Sequence, residues 1–147
     1  MSSGVKSIND ILIDVMRIDK GVRHVMLVDN SGLTIASVNR LGSTSDADSL
    51  GAIASAIFLA SSEQGKGLGV GNLDTVTSEF DDGKIFVHSC GRSILCIVSN
   101  KEVNIGIVRL VAKKSAEPID RELGKFLDAD IVPDSTEDNE LKKALDS

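Results

Sequence analysis

Tryptophan and tyrosine are absent from this sequence, and phenylalanine occurs only four times. Binders of single-stranded nucleic acid stack bases on aromatic platforms, and a formal net charge of -6 leaves no cation excess for a phosphate backbone. Nucleic acid is therefore a poor partner. Two cysteines, Cys90 and Cys96, are too few for the disulfide framework of a small secreted domain and read as reduced core residues. The two histidines, His24 and His88, come without HExxH or CxxC spacing, so neither a metal site nor a cofactor is expected. No apolar run approaches the roughly 18 residues of a membrane span, and the opening MSSGVKSIND lacks the charged-then-apolar order of a signal peptide. A cytoplasmic protein without membrane insertion is the expectation.

What is present fits one domain: 147 residues, 41% hydrophobic and 26% charged, near the globular average. Charge is unevenly placed. Residues 1–116 hold 12 Lys+Arg against 12 Asp+Glu, whereas residues 117–147 hold 4 against 10, so the tail carries the whole excess. Ile119, Leu123, Phe126 and Leu127 make one short apolar face, followed by DADIVPDSTEDNE, where Pro133 and the carboxylates oppose regular structure. A domain over residues 1–118 and an acidic, flexible tail over 119–147 are expected, with a weak terminal helix at Leu141 to Leu145; a solubilising role is the favoured reading of the tail and a docking segment the alternative.

Ile8, Ile11, Leu12, Val15 and Met16 recur at helical spacing, with Lys6, Asp10, Asp14 and Arg17 on another side, which makes a first, amphipathic helix. HVMLVD reads as a strand apolar on both faces and turns through Asp29-Asn30-Ser31-Gly32 into LTIASV. GSTSDADS supplies N-caps for a second helix that runs to about Gln64 and exits through GKGLGVGN. DTVTSEF, KIFVHSC and SILCIVSN are three further strands joined by tight turns at Asp82-Gly83 and Gly91-Arg92. VNIGIVRLVAKKSAEP is ambiguous: Val103, Ile105 and Ile107 alternate like a strand, while Ile107, Leu110, Val111 and Lys114 keep a helical stripe. The order predicts an α+β fold, an antiparallel sheet with helices on its faces.

SLGAIASAIFLASS, residues 49–62, contains no charged residue. A helix that covers one sheet face needs a polar outer side, and this one lacks it. Leu50, Ile53, Ile57 and Phe58 are expected on the sheet, which leaves Gly51, Ala52, Ala56, Leu59 and Ala60 around the rest. The small residues Gly51, Ala52, Ser55 and Ala56 allow close approach of another backbone. A second protein chain is the favoured cover, because monomers seldom expose large contiguous apolar patches; the alternative is the molecule's own first or last helix.

Catalytic chemistry has few candidates. Gly65-Lys66-Gly67-Leu68-Gly69-Val70-Gly71 lacks the GxxxxGK[ST] spacing and leaves a helix rather than entering one, so it reads as a helix stop. His88 and Cys90 are the one nucleophile-base pair by proximity. A two-residue turn at Gly91-Arg92 places Cys90 opposite Ser93, His88 opposite Leu95 and Val87 opposite Cys96. His88 and Cys90 then share a core face with Phe86 and Ile97, and the two cysteines point to opposite sides. A three-residue turn would reverse the cysteines. Arg40 and Arg92 fall in loops, where solvated side chains are the favoured reading over arginine fingers.

VMLVDNSGLTIAS, the small-residue helix ending in glycines, and the NIGIVRL block before a basic turn stand together in an order and spacing that resemble the roadblock/dynein light chain domain. The resemblance runs from about Ile8 to Ile119. It implies a profilin-like five-stranded antiparallel sheet, with the first and third helices on one face and the second on the other, and it makes the ambiguous segment the third helix. It also implies pairing through antiparallel second helices and edge third strands into a ten-stranded sheet, with contacts at Leu50, Ile53, Ala54, Ile57, Ala60, Thr75, Val76, Thr77 and Ser78. The implied function is non-catalytic: a homodimer, or a dimer with a paralogous chain, that binds or regulates a small Ras-like GTPase. A structural adaptor without effect on a GTPase is the alternative, and a ligand sensor or hydrolase using His88 and Cys90 a remote one.

Overall fold

Ser7 caps the first helix, its hydroxyl accepting from the Asp10 N–H, and Ile11, Leu12, Val15 and Met16 bury the apolar stripe of α1 (Ile8–Met16). In the computed structural model, which describes residues 7–40 and 47–146, there follow β1 (Val22–Asp29), β2 (Thr34–Asn39), α2 (Ala47–Gly67), β3 (Thr75–Glu79), β4 (Gly83–Ser89), β5 (Ser93–Asn100) and α3 (Ile105–Asp146). The N-caps expected within residues 42–46 lie outside the described residues.

The strands form one antiparallel sheet in the order β2-β1-β5-β4-β3, which leaves β2 and β3 at the edges. Strand alternation divides the core in two. Val25, Leu27, Phe86, Cys90, Leu95 and Ile97 meet α1 and α3 on one face, and Met26, Val28, Val87, Ile94 and Cys96 meet Ala54 and Phe58 of α2 on the other. The α+β arrangement with the first and third helices together is therefore as expected. The Gly91-Arg92 turn spans two residues, with Val87 opposite Cys96 and His88 opposite Leu95. Gly91 takes the positive φ of 80° that a first turn position of this kind requires.

Four expectations are corrected. The β3–β4 turn closes over Asp81-Asp82, one residue early, with the Phe80 N–H donating to the Gly83 carbonyl. Gly83 instead serves close packing, since a Cβ there would lie 2.5 Å from the Ser99 carbonyl oxygen. In α3 the core stripe is Val108, Ala112, Ile119 and Leu123, while Ile107 and Leu110 face outward. The helical phase is set at its start, where the Asn104 side chain accepts from the Ile107 N–H. Finally, burial does not end at residue 118. Ile119 and Leu123 continue the stripe at four-residue spacing, and Asp120 accepts from the Arg92 backbone N–H and guanidinium at 3.3 Å. The helix continues through Asp146, past Pro133, where irregular structure was expected. Glu, Leu, Lys and Ala, strong helix formers, dominate its last residues.

Candidate partner-binding surface

Helix α2 has two apolar sides. Its sheet side is made of Gly51, Ala54, Ser55 and Phe58, with Leu50 half-buried beside them. The reason is the β1–β2 turn. There the Asp29 carboxylate accepts from the Ser31 and Leu33 N–H groups and the Ser31 hydroxyl, which holds it below the usual carboxylate range and fixes the loop. The helix lies almost directly on this turn: a Cβ on Gly51 would come within 3.1 Å of Thr34 Oγ1 and 3.3 Å of the Gly32 carbonyl oxygen, and the Ser55 hydroxyl donates to the Asn30 carbonyl at 3.0 Å. Gly51 and Ser55 thus serve close approach of the chain's own backbone rather than that of a partner.

Facing away from the sheet, Ile53 is 56% exposed, Ile57 40% and Leu59 47%, with Ala52, Ala56 and Ala60 exposed between them. Ile53 and Ile57 were expected on the sheet, but the narrow space over the turn takes the small residues and rotates the large ones outward. Ala54, expected at a chain–chain contact, is 2% exposed in the molecule's own core and cannot serve there. Neither α1 nor α3 shelters this outer face, since both pack on the opposite side of the sheet.

The glycine exit continues the surface. Gly69 and Gly71 adopt positive φ of 72° and 99°, which turns the chain sharply after α2 and leaves Leu68 and Val70 exposed. These two, with Ser61, Gln64 and Val76, line a cavity of about 370 Å³ between α2 and β3. Of the expected strand contacts, Thr77 is exposed and Thr75, Val76 and Ser78 are half-buried, all on an edge strand whose outer side pairs with no other strand among the described residues. The cavity thus joins the C-terminal end of α2, at Ser61, Gln64 and Leu68, to Thr75 and Val76 of the edge strand.

The candidate reactive groups do not come together. The Cys90 thiol is turned to the His88 backbone carbonyl, and burial pushes its pKa up to about 12. The His88 ring instead meets the Thr75 hydroxyl through Nδ1 at 2.6 Å, with burial holding its pKa below the ordinary value. Cys96 lies on the other sheet face, also raised to about 12 by burial. Arg40 donates to the carbonyls of Val22, Met16 and Asp19, so it closes the α1–β1 loop rather than reaching outward. Arg92 is held by Asp120. Among the described residues no cluster of His, Cys, Asp or Glu is suited to a metal ion, and no helix is long and apolar enough to cross a membrane. One polar feature has no counterpart in the sequence patterns: a cavity of about 470 Å³ between the β3–β4 edge and α3, lined by Asp74, Thr75, His88, Ser89, Arg109 and Lys113. It forms where α3 lies beside the end of β4 and the start of β3, so no local motif marks it.

Comparison with known proteins agrees with this architecture. An uncharacterized protein of Methanocaldococcus jannaschii, MJ1340, is 33% identical over 112 residues, which cover 76% of this chain and 96% of that one. A solved structure of MglB with a tetrameric arrangement superimposes with TM-score 0.74 at 21% identity, covering 80% of this chain and 88% of that one. The gliding protein MglB from Thermus thermophilus does so with TM-score 0.72 at 20% identity and the same coverage. The model of the Roadblock/LC7 domain matches residues 8–99, which take in α1, α2 and the sheet short of the last residue of β5, and the chain belongs to the Roadblock/LC7 domain family.

Proposed function

We propose that this protein is a non-catalytic homodimeric module that binds or regulates a small Ras-like GTPase. The observation that carries the dimer is the outer face of α2, where Ile53, Ile57 and Leu59 stand exposed among alanines; the open edge of β3 is the second unpaired element. Covering each half-exposed side chain contributes roughly 1 kcal/mol, and two-fold symmetry doubles every contact away from the axis. The contacts assigned to the interface are Ile53, Ile57 and Ala60 on α2, with Leu50 at its margin, and Thr75, Val76, Thr77 and Ser78 on β3. Ala54 is omitted, being used within the subunit.

The regulatory role is supported by membership of a family whose resemblance already implied it, and by likeness in fold to MglB, one form of which is described in a tetrameric arrangement. Regulation acts here through binding. The two loop arginines are engaged within the subunit, so neither is offered as a catalytic finger. The acidic stretch beyond Leu127 acts as a solubilising extension in the cytoplasm.

The test is co-purification of the full chain with Ras-like GTPases of the same cell, loaded with GTP or GDP, followed by measurement of GTP hydrolysis. Nucleotide-dependent binding supports the reading. Binding to neither state overturns it and leaves a structural adaptor, which the same apolar surface also suits.

A further inference from the structure

Given the homodimer with its edge third strands paired, we infer that this pairing is centred on Thr77, and that this register delivers Glu79 of the partner subunit to the cavity lined by His88, Arg109 and Lys113. The inference rests on the homodimer reading and adds to it a register and a charged contact.

The backbone sets which groups are available. The Asp74 carbonyl accepts from the Ser89 N–H at 2.9 Å and the Phe80 N–H donates to the Gly83 carbonyl at 2.7 Å, so the even-numbered residues of β3 direct their backbone groups at β4. By alternation Thr75, Thr77 and Glu79 present theirs to the open edge. Side-chain parity then restricts the pairing. Both copies must keep α2 on the same side for the two outer faces to cover each other, so residues of one sheet face oppose residues of that same face, odd with odd. Of the registers this permits, the one centred on Thr77 engages all five residues of the strand, with Thr75 opposite Glu79, Val76 opposite Ser78 and Thr77 opposite itself.

Charge favours the same register. Lys84 stands opposite Glu79 within the subunit, but its ammonium donates to the carbonyls of Lys101 and Val103. Glu79 makes no ion pair among the described residues, and neither do Arg109 and Lys113. The cavity holds two cations against one carboxylate, Asp74, beside a His88 whose charged form burial disfavours. Thr75 lines that cavity. A residue directly opposite it across an antiparallel pair has its Cβ about 5 Å away, within reach of a glutamate carboxylate for the open side of the cavity. The two-fold axis makes this contact twice.

Two measurements on the full chain test the inference. Thr77→Cys introduces one exposed thiol, since Cys90 and Cys96 are buried. Mild oxidation is expected to link two copies through it, whereas Thr75→Cys, displaced from its own symmetry mate by four residues of strand, stays unlinked. Glu79→Arg is expected to weaken dimerisation at least tenfold in sedimentation, and combining it with Arg109→Glu and Lys113→Glu to restore affinity to within about threefold. A wild-type chain that stays monomeric overturns the dimer and the register together. A stable dimer in which Thr77→Cys stays unlinked, or in which Glu79→Arg changes nothing, overturns the register alone.

Discussion

The Ser55 hydroxyl donates to the Asn30 carbonyl at 3.0 Å, joining the middle of α2 to the β1–β2 turn. With Gly51 one helical turn earlier, this contact brings the helix down onto the loop and fixes its rotation about its own axis. Everything proposed for the outer face follows from that rotation: small residues are consumed inside, and isoleucines are left outside.

Gly51→Val is expected to destabilise the subunit by roughly 1–3 kcal/mol, because the added methyls enter space already held by Thr34, Gly32 and Val28. The gain in helix propensity over glycine offsets well under half of the upper figure. Thermal denaturation of the variant checks this, and an unchanged melting temperature would show that the helix does not rest on the turn.

Stability is expected to fall as pH drops from 7.5 to 5.5. Burial lowers the pKa of both His24 and His88 in the folded state below the ordinary 6.5, with the hydrogen bond to Asn39 opposing the shift at His24 and Asp74 opposing it at His88. A depressed folded-state pKa contributes stability that is complete above the unfolded value and is lost as pH falls through the window below about 6.5. Melting curves across that range should show the decline. A flat profile between pH 7.5 and 5.5 would contradict the burial of both rings.

Neither thiol should react quickly at pH 8. With pKa values of about 12, Cys90 and Cys96 carry almost no thiolate there, and they lie on opposite faces of the sheet. Ellman titration is expected to find no rapid thiol in the native protein and two after unfolding in denaturant. A fast native thiol at Cys90 would revive the hydrolase alternative.

Removing residues 128–147 should leave the melting temperature nearly unchanged, whereas removal from Ile119 should lower it sharply. The second cut takes away Ile119 and Leu123 from the α1–α3 face and releases Arg92 from Asp120. Loss of two large core side chains costs about 4–10 kcal/mol in total, comparable with the whole stability of many domains. Circular dichroism melts of the two truncations distinguish these outcomes.

Legibility in the sequence followed how locally each feature is determined. The β4–β5 register was readable because a two-residue turn at Gly91-Arg92 leaves one parity, and it placed Val87 opposite Cys96 and separated the cysteines. The absence of charge in residues 49–62 marked the right helix. Which of its apolar residues point where was not legible, since hydrophobicity alone would bury Ile53 ahead of Ala54, and the outcome rests on how close a distant turn approaches. The same holds for α3, where Ile107 and Val108 compete for the core until Asn104 sets the phase. A boundary at 118 misplaces the end of the core because it groups Ile119 and Leu123 with the charges that follow rather than with the stripe that precedes them. The cavity of His88, Arg109 and Lys113 gathers residues more than 20 positions apart and has no linear signature.

The most direct test of the account is the mass in solution of the wild-type chain and of Ile57→Lys, by sedimentation velocity at micromolar concentration with circular dichroism alongside. Ile57 is already 40% exposed in the single subunit, so lysine there should leave the fold and melting of an isolated chain almost untouched. An unpaired charge buried between two subunits costs several kcal/mol. Twice the chain mass is expected for the wild type and a folded monomer for the variant. A wild-type monomer, or a variant that still forms the same dimer, would contradict it.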